Sequence, residues 1–327
     1  MAPFPSGATM PMQSKWQILP TEAINPASLA IDKLSPAGII DLMLDEDRKI
    51  MTAVGREKER IALGVEMISQ AVRKGGRLIF VGAGASGRLG VLEAAEIPPT
   101  FGTDPSLVLA VMAGGEKAFL HAREGAEDNY EAGARAISRL RPTSRDVVIG
   151  VSASGMTPFV RGGLGRARTA GARIIFVTCY PGTELQTFVD LTIAPAVGPE
   201  VIAGFTRLKA GTATKIVLNM LTTGAMVRIG KTYGNLMVDV KTGSEKQRDR
   251  ARRILTIVSG IDYAAAEKLL KRAKWNVKVA IVMQKTGLPY RKAVTKLRRA
   301  DSFVRDAIGE DIEPRLRELL AAPPATR

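Results

Sequence analysis

Cysteine and histidine are nearly missing from this chain, which has one of each, Cys179 and His121, in 327 residues. A lone cysteine cannot close an intrachain disulfide. Zinc sites, Ser-His-Asp triads and Cys-His pairs all need more of these residues than the chain holds, so both are read as structural and no metal is expected. Any acid or base must then be a carboxylate, a Lys or a Tyr. Long apolar runs are also missing, none approaching the roughly 20 residues of a membrane helix, so no membrane is expected as partner. The segment from Met1 to Ser14 has neither the basic start nor the apolar stretch of a secretory signal, and the cytoplasm is the expected compartment.

Acidic residues are outnumbered, 32 Asp and Glu against 47 Lys and Arg, for a net charge of +15. Such a balance raises nucleic acid as a partner. The excess is local, however, because residues 245–300 hold 16 Lys and Arg against four Asp and Glu. That stretch lacks the aromatic and basic interleaving of single-strand binders, so solvated faces of small helices explain it and nucleic acid is not the expected partner.

What is present is a rhythm of short apolar runs and helix-length segments. Ser35 and Pro36 offer a cap and first turn for an amphipathic helix, and Ile61, Val65, Ile68 and Val72 recur at helical spacing until Gly75-Gly76. Strand-like runs follow at Leu78–Val81, Leu107–Met112, Val147–Val151, Ile174–Val177 and, more weakly, Leu191–Ala194. Strands alternating with helices predict an α/β fold: a doubly wound, mainly parallel five-stranded sheet with helices on both faces. A long helical run is expected from Arg207, and Asp262 is placed to cap a helix with Leu269 and Leu270 inward, in a small C-terminal all-α module. The expected division is a tail and helical arm at 1–54, the α/β domain at 55–243, the basic helical module at 244–310 and a tail at 311–327. Between Arg207 and Met237 the apolar residues Ile216, Leu218, Met220, Leu221, Met226, Val227 and Ile229 exceed what one face of a small sheet needs, and a homodimer is expected.

Two strands end in related loops, Gly82-Ala83-Gly84-Ala85-Ser86-Gly87 and Gly150-Val151-Ser152-Ala153-Ser154-Gly155. The first matches the dinucleotide pattern Gly-x-Gly-x-x-Gly, but the acidic residue required after the next strand is missing, where Met112 runs into Ala113 and Gly114. The second adds three hydroxyls, Ser152, Ser154 and Thr157, just ahead of a helix N-terminus. Together Ser86, the amides around Gly84 and Gly87, and the turn at Gly155 could hold a monophosphate from two sides without a metal.

A strand followed by Ser-x-Ser-Gly-x-Thr resembles the phosphosugar-binding sugar isomerase (SIS) domain. The segments Gly82–Gly90, Glu93–Gly102, Glu124–Asp128, Gly198–Val201, Thr206–Ala213 and Tyr233–Val240 together resemble the N-acetylmuramic acid 6-phosphate etherase family, over roughly Thr21 to Ile308. The resemblance implies a phosphosugar substrate, no cofactor, and a dimer with pockets near the subunit interface. It also implies cleavage of the ether between C3 of the sugar and D-lactate, by elimination and then addition of water.

In that scheme the resemblance makes Glu96 the acid at the ether oxygen and Glu127 the base at C2, although the two roles could be exchanged. Glu96 is expected near the pocket mouth, where Pro98 ends its helix and Val91, Leu92 and Ile97 half-bury it. Glu200, Lys209 and Thr212 are expected to reach the sugar or lactate, and Glu22 and Asn25 to complete a neighbouring subunit's pocket. Two departures from the family pattern stand out: Ala85, where a hydroxyl residue is common, and Ile97, where a smaller or thiol residue is. They bear on one phosphate contact and on the pocket wall. The alternative is a non-catalytic phosphosugar sensor on the same fold, against which the presence of both glutamates argues.

Overall fold

The computed structural model describes residues 19–321, so the expected tail before Lys15 lies outside the described residues. Ser35 opens the first helix as expected, its hydroxyl accepting from the Gly38 amide at 3.2 Å with Pro36 in the first turn. That helix, α1 (Pro36–Arg56), is followed by α2 (Lys58–Arg73), and then the sheet begins.

The strands are β1 (Leu78–Gly82), β2 (Val108–Met112), β3 (Val147–Val151), β4 (Arg173–Val177) and β5 (Leu191–Ile193). They lie in the order β2-β1-β3-β4-β5, and every neighbouring pair is parallel. Between them run α3 (Gly84–Phe101), α4 (Lys117–Leu120), α5 (Tyr130–Leu140) and α6 (Pro158–Thr169), and the sheet is followed by α7 (Lys209–Arg228). Alternation along each strand divides the core in two. Leu78, Phe80, Val147 and Ile149 join the layer of α1, α2, α3 and α7, while Ile79, Val81, Val148 and Ile174 join the layer of α5 and α6. Each such side chain buried between layers contributes roughly 2 kcal/mol.

Two expectations change at element ends. Helix α3 does not stop at Pro98 but runs through Pro98 and Pro99 to Phe101, ending at Gly102 with φ of +63°. Burial of Ile97, Pro98 and Phe101 in the core offsets the two hydrogen bonds that the prolines remove. Ile97 is therefore a core residue, not pocket wall. The run from Arg207 divides as well: α7 ends at Arg228, Gly230 adopts φ of +78°, and a two-residue hairpin follows, β6 (Thr232–Tyr233) with β7 (Leu236–Met237). Leu218, Leu221 and Met226 are fully buried within the chain, which leaves Met220 and Val227 as the exposed apolar residues of that helix.

The C-terminal helices are α8 (Glu245–Ser259), α9 (Tyr263–Arg272), α10 (Val277–Thr286), α11 (Tyr290–Arg299), α12 (Val304–Ile308) and α13 (Glu313–Ala321). They share a second core with Tyr233, Val238 and Val240 of the hairpin region. Asp262 caps α9, its carboxylate accepting from the Ala265 amide, and Leu269 and Leu270 point inward. The segment expected as a tail from 311 instead holds α13, with Ile312 fully buried. Asp239 ties the hairpin to this core through Lys231 at 2.8 Å and the buried Lys278 at 2.9 Å. On α11 the cations Arg291, Lys292, Lys296 and Arg299 are exposed. Among the described residues no helix is long and apolar enough to cross a membrane.

Candidate active site

Neighbouring strands β1 and β3 leave the sheet on opposite connections, one leading to β2 and the other to β4, so a crevice opens between their C-terminal ends. Gly82 and Val151 are register partners there, and each begins one of the two glycine-bearing loops. A cavity of about 370 Å³ lies above them, within the range of small-ligand sites.

The first loop closes by backbone contact. A side chain on Gly82 would come within 2.8 Å of the Gly87 backbone, so both positions must be bare for the chain to turn this tightly. Gly84, Ala85 and Ser86 then face the cavity from the start of α3, whose N-terminus has no side-chain cap. Its amides and the positive end of its dipole point where an anion would sit. Gly87 itself is buried behind the loop.

The second loop is braced by hydroxyls. Ser152 and Thr157 are joined Oγ to Oγ1 at 2.7 Å, and the Met156 amide donates to Ser154 at 3.4 Å. Beneath them Thr178 donates to the Ala153 carbonyl at 3.2 Å and Thr183 to the Gly155 carbonyl at 3.0 Å. Ser152, Ser154 and Thr157 line the cavity, while Gly155 is buried outside its lining. The structure thus brings together Gly84, Ser86, Ser152, Ser154 and Thr157 as the sequence led one to expect.

Glu127 lines the same cavity, on an exposed short turn at Ala126–Asp128 that follows the left-handed Gly125, with Glu124 beside it. Glu96 does not. It lies twelve residues into α3 from Gly84, about 18 Å along the helix axis at the standard rise. Its side chain is exposed, on a stripe with Leu92, Ala95 and Pro99. The glutamate that α3 buries is instead Glu93, 5% exposed, which accepts from Thr222 at 2.6 Å and from Asn219. Burial pushes the Glu93 carboxyl above its usual range, and those two donors partly restore it.

Glu200, Lys209 and Thr212 also fall outside this cavity. Glu200 is fully buried and caps α7, accepting from the Lys209 amide at 3.0 Å and the Ala210 amide at 2.8 Å. Lys209 is 2% exposed and its Nζ is ion-paired with Glu46 of α1. Burial alone would raise the Glu46 carboxyl, but Lys209, Lys49 and Asn25 outweigh it and hold it at about 2. All three expected contacts line a separate 130 Å³ cavity on the other side of the α7 start, because the helix turns Gly211 and Thr214 toward the crevice instead. The N-terminal segment differs from expectation too: Leu19 and Glu22 line their own chain's cavity, and Asn25 donates to Glu46 at 2.9 Å.

The cavity also holds residues that sequence reasoning did not assign, chiefly Arg88, Arg123, Thr206 and Thr214. Arg88 stands inside a segment already singled out and Arg123 one residue before another, and two arginines beside an anion-binding loop were the available signal.

A family model described as the glucokinase regulatory protein N-terminal SIS domain matches residues 60–168. An N-acetylmuramic acid 6-phosphate etherase of Rhodopirellula baltica is 51% identical over 265 residues, covering 81% of this chain and 88% of the relative. One from Salinibacter ruber is 48% identical over 296 residues, covering 90% of this chain and 95% of the relative. Among solved structures, a phosphoheptose isomerase from Francisella tularensis aligns with a TM-score of 0.46 at 14% identity, over 59% of this chain and 98% of that one.

Proposed function

The chain belongs to the N-acetylmuramic acid 6-phosphate etherase family, and from that premise we propose that Glu127 and Glu96 carry its reaction at a site that two copies of the chain build together. The protein is an etherase acting on a phosphosugar that bears a lactyl ether. The observation that supports the reading is the convergence on a single crevice of two neutral, donor-rich loops and the exposed carboxylate of Glu127, with those of Glu22 and Glu124 beside it.

The phosphate lies against the start of α3 and the hydroxyls of Ser86, Ser154 and Thr157, where backbone and hydroxyl donors hold it. In the open-chain sugar, the proton on C2 is acidified by the C1 aldehyde. Glu127 takes that proton, the C3–O bond breaks, and the ether oxygen leaves as D-lactate after accepting a proton from Glu96. Water then adds at C3 of the double bond, and the product is N-acetylglucosamine 6-phosphate. No electrons are transferred, so the reaction calls on no redox group.

Glu96 cannot reach its own chain's loops from its place along α3, but the exposed apolar stripe around it suits a subunit contact. In this reading two copies pair across that stripe, and Glu96 of each serves the other's crevice. A phosphorylated sugar and a buried, unpaired thiol fit the cytoplasm, where the enzyme would return cell-wall amino sugar to metabolism.

The test is D-lactate release from N-acetylmuramic acid 6-phosphate by the purified protein, with chelator present. Release is expected, and its absence with phosphosugar binding intact would favour the sensor reading instead. Co-expressing Glu96→Ala with Glu127→Ala separates the two geometries. Shared sites restore about a quarter of wild-type activity by random pairing, whereas sites within one chain restore none.

A further inference from the structure

The substrate in this reading carries two anions, a phosphate at one end and the lactyl carboxylate at the ether, and the loops account for only the first. We infer that Arg123 is the receptor for the lactyl carboxylate, an inference that rests on the etherase reading above. Two guanidinium groups line the crevice, those of Arg88 and Arg123. Arg88 is already engaged, donating from Nε to the Phe119 carbonyl at 2.9 Å and from Nη2 to the Ala118 carbonyl at 2.8 Å. It fastens α3 to the segment that leads to Glu127.

Arg123 has no such commitment. Among the described residues its side chain forms none of the ion pairs and donates none of the side-chain hydrogen bonds, although Glu22, Glu124 and Glu127 line the same crevice. Its stem is nevertheless seated. Gly114, in the turn after β2 with φ of +82°, leaves bare backbone under it, and a Cβ there would come within 3.1 Å of Arg123 Cδ and 3.2 Å of its Cβ. The arginine therefore lies across the C-terminal end of β2, four residues before the proposed base. A planar guanidinium with two parallel N–H donors matches a carboxylate, and the neutral phosphate loops leave this charge for the second anion.

A carboxylate receptor distinguishes substrate from product, because N-acetylglucosamine 6-phosphate has the phosphate and lacks the lactyl group. In Arg123→Gln, KM for N-acetylmuramic acid 6-phosphate should rise on the order of tenfold to a hundredfold, while the inhibition constant of N-acetylglucosamine 6-phosphate stays within about twofold. Arg123→Lys keeps the charge without the fork and should fall between. Thermal shifts with each ligand read the same difference without turnover and report whether the variant is folded. Equal weakening of both ligands, or no weakening of either, overturns the assignment. Absence of lactate release from the wild-type protein would instead overturn the etherase reading, and the thermal shifts would still decide whether Arg123 prefers the lactyl sugar.

Discussion

The rim of the crevice and the layer behind it are both rich in carboxylates, and they treat them in opposite ways. At the rim, Glu22, Glu124 and Glu127 face the cavity with no side-chain partner among the described residues, and away from it Glu96 stands exposed on α3. Behind it, Glu46, Glu93 and Glu200 are buried and each is met by donors: a lysine, a threonine with an asparagine, and two helix amides. A buried carboxylate is tolerable only when its oxygens are satisfied, and once satisfied it is fixed in place. Chemistry needs the reverse, a group whose partner is the substrate. Under the proposed roles, the reacting acids Glu96 and Glu127 come from the unpartnered set, and the partnered acids are framework.

The comparison breaks most visibly if either side is removed. Glu127→Gln should lower lactate release by about 10³-fold with an unchanged melting temperature. A melting temperature that fell with activity would make Glu127 framework after all. Lys209→Met should do the opposite, taking from the buried Glu46 its buried partner and leaving only Asn25 and the exposed Lys49, at a cost of roughly 3–5 kcal/mol. The expected drop is about 10 °C for a chain of this size. A Glu46→Gln, Lys209→Met double variant should recover part of that loss, as calorimetry would show.

Acid titration sharpens the contrast within the buried set. Glu46 is held at about 2, below its ordinary value of 4.5, so its contribution to stability is complete above 4.5 and is lost as pH falls toward 2. Denaturant curves for Glu46→Gln should therefore lose the acid-dependent part of the wild-type decline. Glu93 is raised, so its contribution has the other sign, present at low pH and lost as pH rises through its folded value. Glu93→Gln should be slightly favoured at neutral pH relative to acid pH, the smaller of the two effects. Smallest of all, Ser154→Ala should raise KM by less than about tenfold, since one neutral donor among several is removed.

Much of this arrangement was legible in the sequence because it is local. Strand runs, the Ser35 cap and the two loops each depend on residues a few positions apart, and period and glycine placement reveal them. The failures involve distant partners. Nothing near Lys209 announces that Glu46, 163 positions earlier, will pair with it, so a buried strut resembled a substrate contact. Pro98 looked like a helix stop because its neighbours cannot show that the core will hold α3 together for another turn. The β6 and β7 strands, two residues each, are too short for any period to register. Glu96 took its role from resemblance and its half-burial from Val91, Leu92 and Ile97, and what the local sequence could not convey was which side of α3 faces outward.

Helix α3 ends where it does for a reason that lies outside the sheet. A side chain on Gly102 would come within 2.1 Å of the Asp239 carbonyl, and Asp239 is itself held by Lys278 of the second core. The basic helices thus act as a doorstop for the helix that carries the phosphate loop at one end and Glu96 near the other. A chain cut before Asp239 would keep every residue assigned to the reaction and lose the abutment that sets how far α3 extends.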